Sequence, residues 1–598
     1  MVLGLALILF VLSSGSILCA AAEKQRYEQI LPVTCVGVVA VLFLCGILGG
    51  LRYGITLVFL IALALWVCGA VILCRRKNLK EFLRRVFTPG SFLWAAFLAV
   101  AMYHLPGMLF CKTDEFSHWG SIVKGMFYFD QLSTAPVLES AFASYPPGLA
   151  VFEYFTAKVM AAAAHTDFQE WYVYLGWQSL VFSMMMPFTA KLRFRNPLMI
   201  AAVGLILFVS PSVLDVWIYS TVYADSALGV LLGAGLAMVA VNEQKDSRWY
   251  LLFVCSICFL LVLTKDVGLL FAIMLWIAFS VDLGARRSFR KKALVPISLA
   301  GISIALPKLL WNGSILKNHA VKNFGSAYDW AAFWQILTGK DHTYRGECWS
   351  NYWKELFATG QEFHGITIPS VHLMLLLIFL LICVVLIIVA WKWDRGLLRS
   401  VAITVAAAWI NCLVYIVGLA ISYLFKFSQP EAMELASFNR YLRIVHLSIW
   451  LYLVCTGAWI FTKSFQGNRL LCAGVLCLAL VMVPISTFKN CITRSDVAHS
   501  VDFRAPYQEL FQLAREVVPA DERILAIQEG DMLGLEISCG LLPAHADLFQ
   551  EGQSLDGYDY VLLLTDQLPF DGETAALFDY VEANSLYRKM DGRFVRCG

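Results

Sequence analysis

Apolar stretches of about 20 residues follow one another along most of this chain, and that feature narrows its fold class more than any other. A run of that length crosses the hydrocarbon core of a bilayer as a helix. Where no water satisfies backbone polar groups, only helices and closed barrels persist. The stretches fall near 1–20, 30–50, 54–73, 91–110, 170–190, 197–211, 226–241, 249–263, 267–283, 293–311, 370–391, 398–423, 441–461 and 470–488. They predict an all-α polytopic membrane protein of about 13–14 transmembrane helices. Of 598 residues, 59% are hydrophobic and 15% charged, against about 45–50% and about 25% in a soluble domain. A net charge of +3 is too small to point to nucleic acid.

Lys and Arg set the expected orientation, because short cytoplasmic loops carry them in excess. They cluster at 74–85 ("CRRKNLKEFLRR"), 191–195, 242–248, 285–292, 392–395 and 462–469. With these loops inside, the longer segments 111–169, 312–369, 424–440 and everything after about 489 fall outside. The first stretch has no basic residues before it, so it reads as a retained helix rather than a cleaved signal. Three regions follow: helices and a basic loop over 1–90, a transmembrane module over 91–490, and an extracytoplasmic α/β domain over 491–598. In that last region a helix is expected over 505–518 with Pro506 in its first turn. Strands are expected at 522–527 and 558–566, and a hairpin at Asp591-Gly592. Most of the 17 cysteines lie in apolar stretches, where they act as small hydrophobes. The one CxxC, Cys255 to Cys258, has no second pair and does not read as a zinc site. A Cys539–Cys597 bridge is compatible with the sequence.

The chemistry-bearing residues gather on the outer side. "CKTDEFSHWG" (111–120) puts Asp114, Glu115 and His118 just past a predicted span. At α-helical spacing Asp114 and His118 share a face. A solvated helix start, where acids are favourable, is the plain alternative. In "SYPPGLAVFEYF" (144–155), Tyr145 precedes a Pro-Pro pair that forces an extended approach into the next helix. That helix, about 148–164, reads as lying near the membrane surface. Asp225 opens a later span in "YSTVYADSALG", and Lys265-Asp266 form a short turn in "LVLTKDVGLLF". Arg440 and Arg443 close the loop "FSQPEAMELASFNRYLRI". Each has a structural alternative: Asp225 as a helix cap, Lys265-Asp266 as a self-neutralising pair, and Arg440 as a snorkelling residue. The aromatic loop 312–369 reads either as a sugar platform or as an interfacial belt.

In their order and on their shared side, these motifs resemble the GT-C superfamily of integral membrane glycosyltransferases, which use polyprenyl-phosphate sugars. The resemblance covers about residues 91–460. It implies an external active site at the plasma membrane, a polyprenyl-phosphate sugar donor, and a glycan, lipid or protein acceptor. It also implies an inverting single displacement. The attacking hydroxyl needs a base within hydrogen-bond reach. Asp114 is the candidate, with Glu115 second. The departing phosphate needs waiting cations: Arg440 first, for its bidentate fork, then Lys265 and Arg443. His118, Tyr145, Asp225 and Asp266 are supporting residues. No cofactor is required by this reading; Asp114, Glu115 and His118 are the alternative ligand set for a divalent cation. The competing classes are a secondary transporter or lipid flippase, a non-catalytic membrane scaffold, and a glycan polymerase or ligase of another fold.

Overall fold

The computed structural model describes residues 1–598 apart from 24, 244–246, 286–292, 321–327, 342, 359–360, 364–365, 369, 466–467, 521, 529–530, 566–567, 571 and 598. Most of the expected basic loop at 285–292 therefore lies outside the described residues. The chain begins with α1 (Val2–Ala22), α2 (Tyr27–Ile47), α3 (Leu51–Arg76), α4 (Leu79–Val86) and α5 (Pro89–His104). Next come α6 (Gly120–Phe129), α7 (Gly148–Ala164), α8 (Trp171–Ser183) and α9 (Pro197–Val209). Then follow α10 (Ala224–Val241), α11 (Arg248–Thr264), α12 (Gly268–Gly284) and α13 (Leu294–Lys317). The short α14 (Trp330–Leu337) and α15 (Tyr344–Phe357) precede a hairpin of β1 (Gln361–Phe363) and β2 (Ile366–Ile368). The module closes with α16 (Val371–Trp393), α17 (Arg395–Phe425), α18 (Gln429–Met433), α19 (Phe438–Ser464), α20 (Arg469–Met482) and α21 (Ile485–Thr493).

Eight of these helices are long and apolar enough to cross a membrane, or ten if two bent pairs each count as one. The bent pairs are α4 with α5, at 45°, and α20 with α21, at 78°. Three more, α9, α11 and α12, are apolar but shorter. This is a multi-pass membrane protein. The stretch expected as a span at 170–190 stops early. Its helix, α8, has 13 residues and gives way to a 3-10 turn at Met186–Thr189. Pro187 lies in that turn, where its missing N–H ends the α-helical ladder. Helix α7 is enclosed by the protein, with Val151, Phe152, Tyr154 and Phe155 wholly buried against neighbours that include α1, α2 and α8. One apolar core runs continuously from α1 to α19, so the first helices pack into the same body as the rest.

The last region begins with α22 (Ser495–Val517), continues through β3 (Arg523–Ile527), α23 (Asp531–Leu541), β4 (His545–Leu548) and β5 (Tyr560–Leu563), and ends in β6 (Ser585–Met590) and β7 (Arg593–Cys597). The sheet order is β4-β3-β5-β6-β7. Strands β4, β3 and β5 are parallel, and β5, β6 and β7 pair antiparallel in turn. The β6–β7 turn has Asp591 at φ 49° and Gly592 at φ 83°, the two left-handed positions that such a hairpin demands. Helix α22 starts ten residues before the expected 505, so Pro506 is interior and not in the first turn. The added turns are held by tertiary contacts, which outweigh local propensity. All 17 cysteines are free, so no Cys539–Cys597 bridge forms.

Candidate active site

Four chain-distant segments meet at one end of the helix bundle. Helices α10 and α19 approach closely there. Gly229 and Gly233, one turn apart on α10, face Leu447, Ser448 and Leu451 of α19. A Cβ at Gly233 would lie 2.6 Å from Ser448 O, and one at Gly229 would lie 2.9 Å from Leu447 Cβ. Small residues at this spacing let two membrane helices touch backbone to side chain. Asp225 sits in the first turn of α10 and Arg440 in the first turn of α19, so this contact fixes how far apart they lie. Lys265 ends α11. The start of α7 abuts the same point, where a Cβ on Gly148 would lie 2.6 Å from Leu263 O.

The side chains form a charged chain. Arg440 Nη1 donates to Asp114 Oδ2 at 2.6 Å, and its Nε lies 3.5 Å from Asp225 Oδ2. Lys265 Nζ donates to Asp225 Oδ1 at 2.6 Å. Two tyrosine rings flank the cations. The Arg440 guanidinium is 5.1 Å from the centres of both Tyr223 and Tyr441, and Lys265 Nζ is 5.2 Å from Tyr441. Such placement adds electrostatic attraction to the ring faces. Burial works against the charge on Lys265, but Asp225 and Tyr441 outweigh burial and Arg440 together, and its pKa is held above the ordinary value.

The segment carrying Asp114 is wound as a π turn, Glu115–Trp119, and not as the α-helix its spacing implied. Such turns are rare and cluster at functional sites. The Asp114 amide donates to Tyr223 OH at 3.2 Å. Glu115 is fully buried; its Oε2 accepts from the amides of Cys111 (3.0 Å) and Lys112 (3.2 Å), and Lys112 Nζ lies 3.6 Å from Oε1. Burial pushes its carboxyl above the ordinary value despite these donors. His118 shares a 2.6 Å hydrogen bond with Ser117 Oγ through Nδ1 and packs on Trp119, Phe142 and Tyr145. Burial, then Lys265 and Arg440, hold its imidazole well below the usual histidine value. Tyr145 is within electrostatic reach of Lys265, and burial pushes its phenol up to about 12. The divalent-cation alternative at Asp114, Glu115 and His118 fails on geometry: among the described residues no three His, Cys, Asp or Glu side chains converge on a metal position. The reason is that Glu115 faces backbone amides while Asp114 faces Arg440.

Asp266 turns away from this cluster. Lys308 Nζ donates to it at 2.7 Å, so Lys265 and Asp266 do not neutralise one another. Arg443 lies one turn beyond Arg440 and pairs with buried Asp215 at 2.8 Å. Asp215 also accepts from Ser226. Neither Asp215 nor Lys112, which lies over Trp217 and donates to Ser220 O, carried any signal in the sequence. Tyr223 stands two residues before Asp225 in the stretch "YSTVYADSALG".

A cavity of about 440 Å³ opens beside the cluster. Lys112, Asp215, Asp225, Arg440 and Arg443 line its polar side, and Met108, Ile444 and Leu447 its apolar side. Asp496 and His499 of α22 line it too. Arg440 and Arg443 also border a second cavity of about 680 Å³, with Asn351, Lys354, Glu355 and Asn439.

No protein-family model matches the chain, and no curated protein matches it. Among solved structures, the chain aligns with ArnT from Cupriavidus metallidurans bound to undecaprenyl phosphate, at TM-score 0.44 and 13% identity over 77% of this chain and 86% of that one. The apo-state structure of the same protein aligns at TM-score 0.44 and 13% identity, over 77% and 85%. A likeness at this level establishes neither family nor activity.

Proposed function

We propose that this chain is a membrane glycosyltransferase of the GT-C type. It moves a sugar from a polyprenyl-phosphate donor to an acceptor hydroxyl at the outer face of the plasma membrane. The observation that carries the reading is the meeting of Asp114, Arg440 and Lys265, one carboxylate and two cations from distant parts of the chain, beside a cavity that is polar on one side and apolar on the other. A lipid-linked phosphate has that same division.

The chemistry follows from the groups. The acceptor O–H attacks the anomeric carbon and yields its proton to Asp114. The bond from that carbon to the phosphate oxygen breaks, and its electron pair leaves with the phosphate. Arg440 and Lys265 meet the growing negative charge without reorganising. Asp225, which touches both cations, holds them in place. Asp114 is tied to Arg440; a phosphate that competes for the guanidinium releases the carboxylate to act as base. Glu115, occupied by two amides, supports the turn, and Asp114 alone is the base. Attack from the face opposite the leaving phosphate inverts the anomeric configuration. The second, more polar cavity suits a hydroxyl-bearing acceptor reaching the same two arginines. A transporter would place its charges at mid-membrane, whereas this cluster sits at helix ends.

The test is to compare lipid extracts of cells making the wild type and Asp114→Asn at equal levels, by mass spectrometry. A polyprenyl-phosphate monosaccharide accumulates in the variant, with transfer reduced by about 10²–10⁴-fold, the contribution of a positioned base. Identical lipid profiles beside a functioning wild type would remove Asp114 from the chemistry.

A further inference from the structure

The segment between α5 and the π turn has little ladder of its own. Four successive amides, Leu109 to Lys112, are satisfied by side chains instead. Leu109 N donates to Ser500 Oγ at 3.1 Å, Phe110 N to Glu170, and Cys111 and Lys112 to Glu115. Buried backbone donors must find partners, so the path of this segment is set by whatever holds Ser500 and Glu170.

Both are held from the C-terminal region. Ser500 belongs to α22. Glu170 lies 3.2 Å from Arg504 Nη1, and the Nε of that arginine lies 2.9 Å from Glu536 Oε1 on α23. All three side chains are less than a tenth exposed. One buried guanidinium thus joins a carboxylate of the membrane module to a carboxylate of the α/β domain. The same guanidinium stands 5.3 Å over the ring of Phe116, two residues from Asp114, and Phe116 also stacks on Phe503. Before the segment, Arg494 donates to His104 O and Pro106 O. After it, buried Lys124 donates to Cys539 O and Gly540 O at 2.7 and 3.1 Å.

We infer that the C-terminal domain is part of the reaction site: through Ser500 and Arg504 it holds Leu109–Lys112 and so aims Asp114 at its substrate. Both are positioning residues, and the inference rests on the transferase reading. Removing either loosens the segment without touching the cations that grip the phosphate. A small misplacement of a reacting group costs as much as a hundredfold in rate.

The experiment uses the full-length protein in lipid nanodiscs, as wild type, Ser500→Ala, Arg504→Met and Arg504→Lys. Ser500→Ala removes one oxygen and keeps the assay informative should Arg504→Met fail to fold. Hydrogen exchange across Leu109–Lys112 is expected to quicken roughly three- to tenfold in Ser500→Ala, the worth of one hydrogen bond, and further in Arg504→Met. Turnover of donor lipid from cell extracts is expected to fall roughly tenfold to a hundredfold. Retention of undecaprenyl phosphate, used as the probe, is expected to fall far less than turnover, because Arg440 and Lys265 stay in place although Ser500 and Lys112 line the first cavity. Arg504→Lys, which keeps one of the two ion pairs, recovers part of the loss. Unchanged exchange in Ser500→Ala overturns the inference, as does quickened exchange with undiminished turnover, or probe retention that falls in step with turnover. Quickened exchange in the variants, with a wild type that transfers no sugar from any donor lipid, supports the holding role and removes the transferase reading.

Discussion

Asp114 and Glu115 are adjacent and chemically alike, yet the fold gives them opposite duties. Asp114 reaches a cation at the cavity edge, while Glu115 is consumed by two backbone amides. Glu115→Gln is therefore expected to lower stability by about 1–3 kcal/mol, the cost of weakening buried donors, and to spare turnover far more than Asp114→Asn does. Thermal unfolding and donor-lipid consumption, measured on both variants, check this. His118 gives a pH dependence. Its folded value lies below the ordinary 6.5, so below about pH 6.5 the unfolded chain binds a proton that the folded chain does not. Stability then falls as pH falls through that value, by up to about 1.4 kcal/mol per pH unit. His118→Asn is expected to lose that part of the acid sensitivity in melting curves recorded at about pH 5.5 and about pH 7.5. Asp114, Asp225, Lys265 and Arg440 were all legible, because charged residues at span ends stand out against apolar sequence. That Glu115 would be taken up by backbone amides was not legible, because a π turn leaves no compositional mark. Nor was Asp215, whose charged partner, Arg443, stands on a distant helix.

At the scale of helices, the site depends on how closely α10 and α19 approach. Gly233 has Ser448 O where a Cβ would go. Gly233→Leu is expected to destabilise by about 1–3 kcal/mol through overpacking and to weaken retention of a polyprenyl phosphate by moving Asp225 relative to Arg440. Melting temperature and lipid retention together test it; retention at wild-type level in a destabilised variant would separate the two helices' packing from the site. Apolar length made each helix legible, but not its break or its depth. Helix α8 ends where Pro187 interrupts it, and α7 is buried by its neighbours although it carries Glu153 and Lys158. Helix α22 was found ten residues short because Pro506 resembled a beginning. Strand β4 was not found at all, since four half-buried residues carry too little pattern.

For the molecule as a whole, the orientation proposed from the basic loops puts Lys77 inside and the α/β domain outside. Cysteine introduced as Glu551→Cys is expected to react with a membrane-impermeant maleimide on intact cells, above the parent's own labelling. Lys77→Cys is expected to react only after permeabilisation; the reverse pattern would turn the protein over and with it the proposed side of transfer. The placement of the charged cluster at the end of apolar helices has one more consequence. On the proposed transferase reading, a donor anchored by its tail arrives by diffusing within a sheet, while an acceptor that is water-borne arrives from a volume. The two encounters therefore obey different counting: one scales with molecules per unit area of membrane, the other with molecules per litre. A cell that thins its lipid pool across a larger surface would slow this reaction with no change in the total amount of either substrate.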